Sequence, residues 1–113
     1  MVAEKRNPRA EALQLLGLAR RAGTVVLGIQ RTRDSLRSGR AVLVVVAEDA
    51  SGAQLNKIEG LRKVRDVPRV SVGDRTALGA ALGGPPLSAA AVTDGRLARQ
   101  ILLRLTDGGP GES

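Results

Sequence analysis

Seven consecutive residues, Ala41-Val42-Leu43-Val44-Val45-Val46-Ala47, are apolar, and four of them are valine. The run shows no polar alternation, so neither face is reserved for water. A strand of this kind must be covered on both sides, as in a parallel or mixed sheet with helices above and below. Upstream, the polar and strongly basic stretch after Gly28 suits a short helix, with Gly28 at its start and Gly39 just past its end. Downstream, Glu48-Asp49-Ala50-Ser51 closes the run. A helix feeding a doubly buried strand is the unit around which the rest of the chain must arrange itself.

The flanking segments alternate in the same way. Asn7-Pro8 is a helix start, with Asn as cap and Pro at the first helical position. Ala12, Leu15, Leu16, Ala19 and Ala22 then fall at helical spacing and define one apolar face. Arg20 and Arg21 occupy the last turn, where cations suit the helix dipole, and Gly23 ends the helix. Thr24 to Leu27 is a short β-branched strand. In the helix after Gly28, Thr32 and Leu36 point inward. Ser51-Gly52-Ala53-Gln54 has the spacing of a capping box. It opens a helix to about Arg65, with Leu55, Ile58, Leu61 and, at its end, Val64 inward. Lys57, Arg62, Lys63 and Arg65 form its solvated face. Arg69 to Val72 is a strand, and Asp74 caps a helix with Leu78, Ala81 and Leu82 inward. Gly83-Gly84-Pro85-Pro86 breaks that helix. Ala89 to Thr93 is a buried strand, and Thr93 or Asp94 caps a last helix carrying Leu97, Ile101, Leu102 and Leu105. The order α-β-α-β-α-β-α-β-α with short connections predicts an α/β protein, a three-layer α/β/α sandwich on one four-stranded sheet. The domain is expected over residues 8–105, between a flexible N-terminus at 1–7 and a disordered Gly/Pro tail at 106–113.

A chain of 113 residues is expected to form one domain. Its core must be aliphatic, since Phe, Tyr and Trp are all absent. The absence of Cys excludes disulfides, a thiol nucleophile and thiolate metal sites, and the absence of His removes the commonest general base and metal ligand. No metal and no cofactor is expected. Eighteen basic residues against eleven acidic ones give a formal charge of +7. That favours an anionic partner, with nucleic acid first and an anionic membrane surface second. Fifteen of the basic residues are Arg, whose planar fork suits phosphate and guanine edges. A GC-rich genome would also encode many Arg and few Lys. No apolar run is long enough to cross a bilayer, and the start MVAEKRNPRAE lacks the apolar centre of a secretory signal. A cytoplasmic protein is expected.

Catalysis finds little support in the residues. Asp49 and Asp94, with Glu48 and Asp74 nearby, follow strands, where ligands of open α/β sheets often bind. Each also sits where a helix begins, and acids are favoured there without any function. Neither phosphate-loop pattern occurs, and no nucleophile has a visible base partner. No enzyme is expected and no catalytic residue is assigned. Nucleic-acid binding has more to draw on. Without aromatics there is no base-stacking platform, which leaves basic side chains, helix N-termini for phosphates, and polar side chains for base edges. Leu27 to Arg37 offers all three: Gly28 opens the helix, Gln30 can donate and accept at a base edge, and Arg31 can fork onto a guanine.

Leu15-Leu16-Gly17-Leu18-Ala19-Arg20-Arg21-Ala22-Gly23, then Gly28, then Val44 to Ser51, Val67-Pro68, Leu78 to Gly83 and Ala91-Val92-Thr93-Asp94 follow one another at characteristic spacing. In this order they resemble the bacterial YlxQ-type branch of the L-seven-Ae/L-thirty-e/Gadd-like ribosomal protein family, over roughly Ala10 to Leu105. The resemblance implies a mixed four-stranded sheet. It also implies RNA binding, typically to kink-turns, which are sharply bent duplexes with tandem G·A pairs. In that family a glycine opens the helix after the first strand. An Asn two residues on and then a Glu read guanine edges, a Lys follows three residues later, and a loop before the last strand packs on an extruded nucleotide.

By position, Gly28 matches the glycine, and Gln30 keeps the side-chain amide of the Asn with one more methylene. Arg31 stands at the Glu and Asp34 at the Lys, both with opposite charge. Arg31 can donate to guanine O6 and N7 but cannot accept from N1–H and N2–H, and a carboxylate at Asp34 would repel phosphate. Arg31 and Asp34 are also spaced to pair with each other. Arg75 falls where the family often has a basic residue near RNA. Gly84 to Ala89 matches the loop, with Pro86, Leu87 and Ser88 as contacts and Leu87 as its one large apolar side chain. Arg20, Arg21, Arg33, Arg37, Arg40 and Arg75 are expected to meet phosphates. The function expected is non-catalytic binding of a bent, structured RNA, associated with ribosomes or translation. The alternative is a protein-interaction adapter on the same fold, with an acidic or ribonucleoprotein partner.

Overall fold

The computed structural model describes residues 7–107. The elements run α1 (Pro8–Arg21), β1 (Val25–Leu27), α2 (Ile29–Arg37), β2 (Leu43–Val46), α3 (Gly52–Val64), β3 (Arg69–Ser71), α4 (Arg75–Ala81), β4 (Ala89–Val92) and α5 (Gly95–Asp107). The expected alternation is present. The helix boundaries follow local chemistry. Asn7 Oδ1 accepts from the Ala10 N–H at 3.1 Å and Ser51 Oγ from the Gln54 N–H at 3.1 Å. Asp74 Oδ1 accepts from the Ala77 N–H at 2.8 Å, and Asp94 Oδ1 from the Arg96 and Leu97 N–H groups at 2.7 and 3.3 Å. Ala22, expected on the inner face of α1, is instead its exposed C-cap. Residues 1–6 and 108–113, expected to be loose, lie outside the described residues, while Thr106 and Asp107 belong to α5.

The sheet is mixed, in the order β1-β4-β2-β3. β4 pairs antiparallel with both β1 and β2, and β2 pairs parallel with β3. The two central strands, β2 and β4, are buried along their whole lengths. Leu43 and Val45 of β2 and Ala90 and Val92 of β4 face a core shared with Leu16, Leu78 and Ile101 of α1, α4 and α5. Val44 and Val46, with Ala89 and Ala91, face Leu36 of α2 and Ile58 of α3. This is the expected three-layer sandwich. The valine-rich run is therefore consumed from both sides, which is why it carries no polar alternation. Its end Val42 is 37% exposed, so the doubly covered part is shorter than the apolar run.

Two expectations for α3 fail. Val64 is 80% exposed, because it lies on the last turn beyond the reach of the sheet. Arg62 is not on a solvated face: its guanidinium grips both Glu59 carboxylate oxygens at 2.9 and 3.0 Å and donates to the Val67 carbonyl at 2.9 Å. Arg69 of β3 reaches the same carboxylate at 3.1 Å. Hydrogen bonding from Arg62, with Arg69 adding to it, holds the Glu59 carboxyl below its ordinary range against the opposing effect of burial. This network pins the end of α3 to the edge strand.

On the inner face of α2, the Thr32 and Ser35 hydroxyls are buried without a hydrogen-bond partner. An unpaired buried hydroxyl costs about 1–3 kcal/mol, whereas an apolar group of the same shape costs nothing of that kind. Thr32→Val is therefore expected to stabilise the fold by about 1 kcal/mol, a rise of about 4–8 °C in Tm for a domain of this size. Thermal unfolding checks it, and a lower Tm would mean that the hydroxyl has a partner in solution.

Candidate nucleic-acid interface

Because β4 runs against the other three strands, one end of the sheet collects the segments after β1, β2 and β3 and the segment before β4. Gly28-Ile29-Gln30-Arg31, Ala47-Glu48-Asp49, Gly73-Asp74-Arg75 and Pro85 to Ser88 all lie there. Backbone hydrogen bonds weld them. The Gly28 N–H donates to the Ala89 carbonyl at 2.9 Å, the Ala47 N–H to the Ser88 carbonyl at 2.9 Å, and the Leu87 N–H to the Arg75 carbonyl at 3.0 Å. Gly28, Arg75 and the Pro86-Leu87-Ser88 loop, expected together from sequence, are thus brought together.

Gly28 has φ 101° and ψ 161°, a conformation reserved in practice for glycine. A Cβ built there would meet nothing within 4 Å. The glycine is needed for the backbone angle and not for room. As N-cap of α2 it has no side chain to offer, and no side chain caps the helix. Among the described residues, the other four helices each have a side-chain cap. The first-turn N–H groups of α2, on Ile29, Gln30 and Arg31, face outward without that partner. The positive end of a helix dipole is thus left bare beside a guanidinium.

Arg31 is exposed and, among the described residues, makes no ion pair. It does not pair with Asp34, as its spacing suggested. Asp34 Oδ1 instead accepts from Gln30 Nε2 at 3.0 Å and lies 3.9 Å from the Arg37 guanidinium. A carboxylate only accepts, so the Gln30 amide must turn its nitrogen inward along the helix. That leaves Gln30 Oε1 as a bare acceptor next to the bare donors of Arg31. Asp34 does not stand as a lone negative charge.

Asp49 was expected as an acid favoured at the start of α3, whose cap is Ser51, as the capping-box spacing predicted. The Asp49 carboxylate instead crosses to α4, accepting from the Arg75 N–H at 2.8 Å and lying 3.5 Å from Arg75 Nε. It holds a site residue in place, a long-range role with no local signal. Asp94, after the antiparallel β4, lies at the opposite end of the sheet, so the two carboxylates do not share a site. Leu87 is half-buried against the α1, α4 and α5 core. The apolar surface that the loop shows outward is Pro85 and Pro86, which corrects the expectation of Leu87. Pro86 was expected among the loop contacts, whereas Pro85 was visible in the sequence only as part of a helix breaker.

The expected phosphate contacts do not form one patch. Arg37 lies at the far end of α2, about 10 Å along the helix axis from Gln30. Arg65 donates to the Arg37 carbonyl, and Arg40 Nε donates to Ser38 Oγ at 3.3 Å. Arg20 donates to the Leu82 carbonyl. Arg33 is half-buried midway along α2, and Arg21 lines a groove of about 780 Å³ between α1 and α4 with Leu13, Gly17, Leu18, Ala77 and Ala81. Arg31 and Arg75 remain at the bare end of α2. Among the described residues no group of three or more acidic side chains could hold a metal ion, and no helix is long and apolar enough to cross a membrane.

Comparison with known proteins agrees with this architecture. The model of the ribosomal protein L7Ae/L30e/S12e/Gadd45 family matches residues 10–101. The RNA-binding protein YlxQ of Bacillus subtilis is 36% identical over 92 residues, covering 81% of this chain and 92% of that protein. The RNA-binding protein YlxQ of Enterococcus faecium is 31% identical over 77 residues, covering 68% of this chain and 75% of that protein. A solved Bacillus halodurans protein of unknown function superposes with a TM-score of 0.81 at 28% identity, covering 86% of this chain and 98% of that one. The Giardia lamblia 15.5kD RNA binding protein shares the fold, with a TM-score of 0.74 at 19% identity over 94% of each chain. The chain belongs to the ribosomal protein L7Ae/L30e/S12e/Gadd45 family, alongside its bacterial YlxQ-type members.

Proposed function

We propose that this protein binds RNA without catalysis and docks a bent, structured RNA of the kink-turn kind, in a ribosome- or translation-associated role. The docking end is the one that holds Gly28–Arg31, Arg75 and Pro85–Ser88. The single observation that carries the reading is that α2 is the one described helix with no side-chain cap, and its open donors adjoin Arg31, which makes no ion pair among the described residues. The names of the two YlxQ relatives support RNA as the ligand.

The charge reversals at Arg31 and Asp34 fit this reading once Gln30 is considered. Guanine offers N1–H and N2–H donors on its Watson–Crick edge and O6 and N7 acceptors toward its Hoogsteen edge. Arg31 serves the acceptors by its fork. The bare Gln30 Oε1, turned outward because Asp34 holds Nε2, serves the donors. The acceptor that Glu supplies elsewhere in the family comes here from a neighbouring amide. Arg75, steadied by Asp49, contributes positive charge to the phosphates, and Pro86 offers the outward apolar face for an unstacked nucleotide.

The test is binding to three labelled RNAs across a salt series: a kink-turn, the same RNA with its G·A pairs replaced, and a plain duplex. Phosphate contacts weaken with salt on all three, with a log–log slope of about 0.9 per contact on a duplex. Preference for the intact kink-turn that persists at high salt supports the reading. Equal and steeply salt-dependent binding to all three would leave only a basic surface. Absence of binding to any would favour the adapter reading, for which the observation is the apolar α1/α4 groove beside Leu18, itself 46% exposed.

A further inference from the structure

The loop between α4 and β4 is strapped lengthwise along α4. The Gly84 N–H donates to the Gly79 carbonyl at 2.9 Å, and the Leu87 N–H donates to the Arg75 carbonyl one turn earlier at 3.0 Å. Between these two clips the chain passes directly over Gly79. A Cβ built on Gly79 would lie 1.9 Å from the Pro85 carbonyl oxygen, 2.6 Å from its carbon and 3.0 Å from Pro86 Cα. All three are backbone atoms, so no rotamer change can relieve the overlap. Gly79 is buried and helical, and its φ is not among the positive ones. Backbone freedom therefore does not explain it, and glycine inside a helix costs about 1 kcal/mol relative to alanine. Gly17 of α1 is the contrast. A Cβ there would meet the Ala81 carbonyl oxygen at 3.4 Å, an ordinary contact.

We propose that Gly79 is a positioning residue for RNA recognition. Its missing side chain sets how deeply the Pro85–Ser88 loop lies on α4. The loop then passes to the docking end through two rigid links, Ser88 to Ala47 and Ala89 to Gly28, each 2.9 Å. With an alanine at position 79, the Pro85 carbonyl must withdraw by about 1.5 Å to reach ordinary van der Waals separation. Pro86 would move with it, away from the level at which α2 begins. Seating in advance also removes the ordering cost that a mobile loop meets on binding. The inference rests on the RNA-binding reading above, but the seating of the loop can be measured without RNA.

The experiment uses the full chain and Gly79→Ala. Amide hydrogen exchange reads the strap at Gly84 and Leu87, with Val45 and Ala91 in the central strands as internal controls. In Gly79→Ala, Gly84 and Leu87 are expected to lose protection about tenfold or more, with the central strands unchanged. Affinity for the kink-turn should fall about tenfold, while affinity for plain duplex changes less than about twofold. A role in stability alone would lower both affinities by one factor and speed exchange throughout. Should Gly79→Ala fail to fold, the variant Pro85→Gly carries the test, since it loosens the strap, places no atom beneath it and leaves Pro86 in place. It is expected to show the same selective loss. Protection and selectivity both retained in either folded variant would overturn the proposal. If the unaltered protein prefers no RNA, the functional reading fails, and the positioning role in RNA recognition fails with it. The exchange data would still show separately whether Gly79 seats the loop.

Discussion

Arg31→Ala is expected to weaken kink-turn binding by about 5- to 150-fold, the range for a bidentate guanine contact of about 1–3 kcal/mol. On plain duplex the loss should be small and should vanish as salt rises, because there Arg31 acts as one phosphate contact among several. The asymmetry follows from its position. Arg31 is on the first turn of the uncapped helix, with no ion pair among the described residues to break before it reaches RNA. Arg37, on the same helix, is the built-in control. It is close to Asp34, its carbonyl is taken by Arg65, and it sits at the opposite end of α2. Arg37→Ala should lower affinity for all three RNAs by a similar small factor and reduce the salt slope by about one contact. Equal losses for Arg31→Ala on kink-turn and duplex would reduce Arg31 to the same status. Folding is not at risk in either variant, since both side chains are exposed and pack on nothing in the core.

The same division separates what the sequence disclosed from what it withheld. Asn7, Ser51 and Asp74 could be assigned as caps because a cap is a local bond, made within three residues. The doubly buried strand was legible because burial on two faces removes all polar alternation from Leu43 to Val46. Interactions between distant segments left no such mark. Arg62 looked like surface because its partners, Glu59 apart, are Val67 and, through Glu59, Arg69 on another element. Asp49 looked like no more than an acid at the start of α3 because nothing in its neighbourhood reveals that α4 lies across from it. Leu87 was the natural apolar contact by size, but the structure spends it on the core and turns Pro85 and Pro86 outward. At the site, Gly28 could be located from its place before a basic helix. The inward turn of the Gln30 amide could not, because three acceptable partners for Asp34 lie within four residues and only geometry chooses among them.

Asp34→Ala should move two properties in opposite directions. Removing a carboxylate from the helix proposed to dock RNA lowers repulsion of phosphate, so binding to plain duplex is expected to tighten by a few-fold at low salt and not at all at high salt. Discrimination between the kink-turn and its G·A-replaced counterpart is expected to fall by about two- to tenfold. Here the cause is Gln30. With its Nε2 no longer held at 3.0 Å by Asp34, the amide turns freely and presents nitrogen as readily as oxygen to the guanine edge. Ordering such a side chain on binding costs about 0.5–1.5 kcal/mol, which sets the size of the effect. Asp34→Asn sharpens the argument. It removes the charge but keeps an oxygen that can accept from Gln30, so it should tighten duplex binding as Asp34→Ala does while retaining most of the discrimination. If Asp34→Ala tightens binding to every RNA by one factor, Asp34 acts only through its charge and Gln30 needs no holding. If discrimination falls in Asp34→Ala and survives in Asp34→Asn, the carboxylate that looked misplaced beside RNA is there to aim an amide, and the charge reversal at this position is part of how the surface reads a guanine.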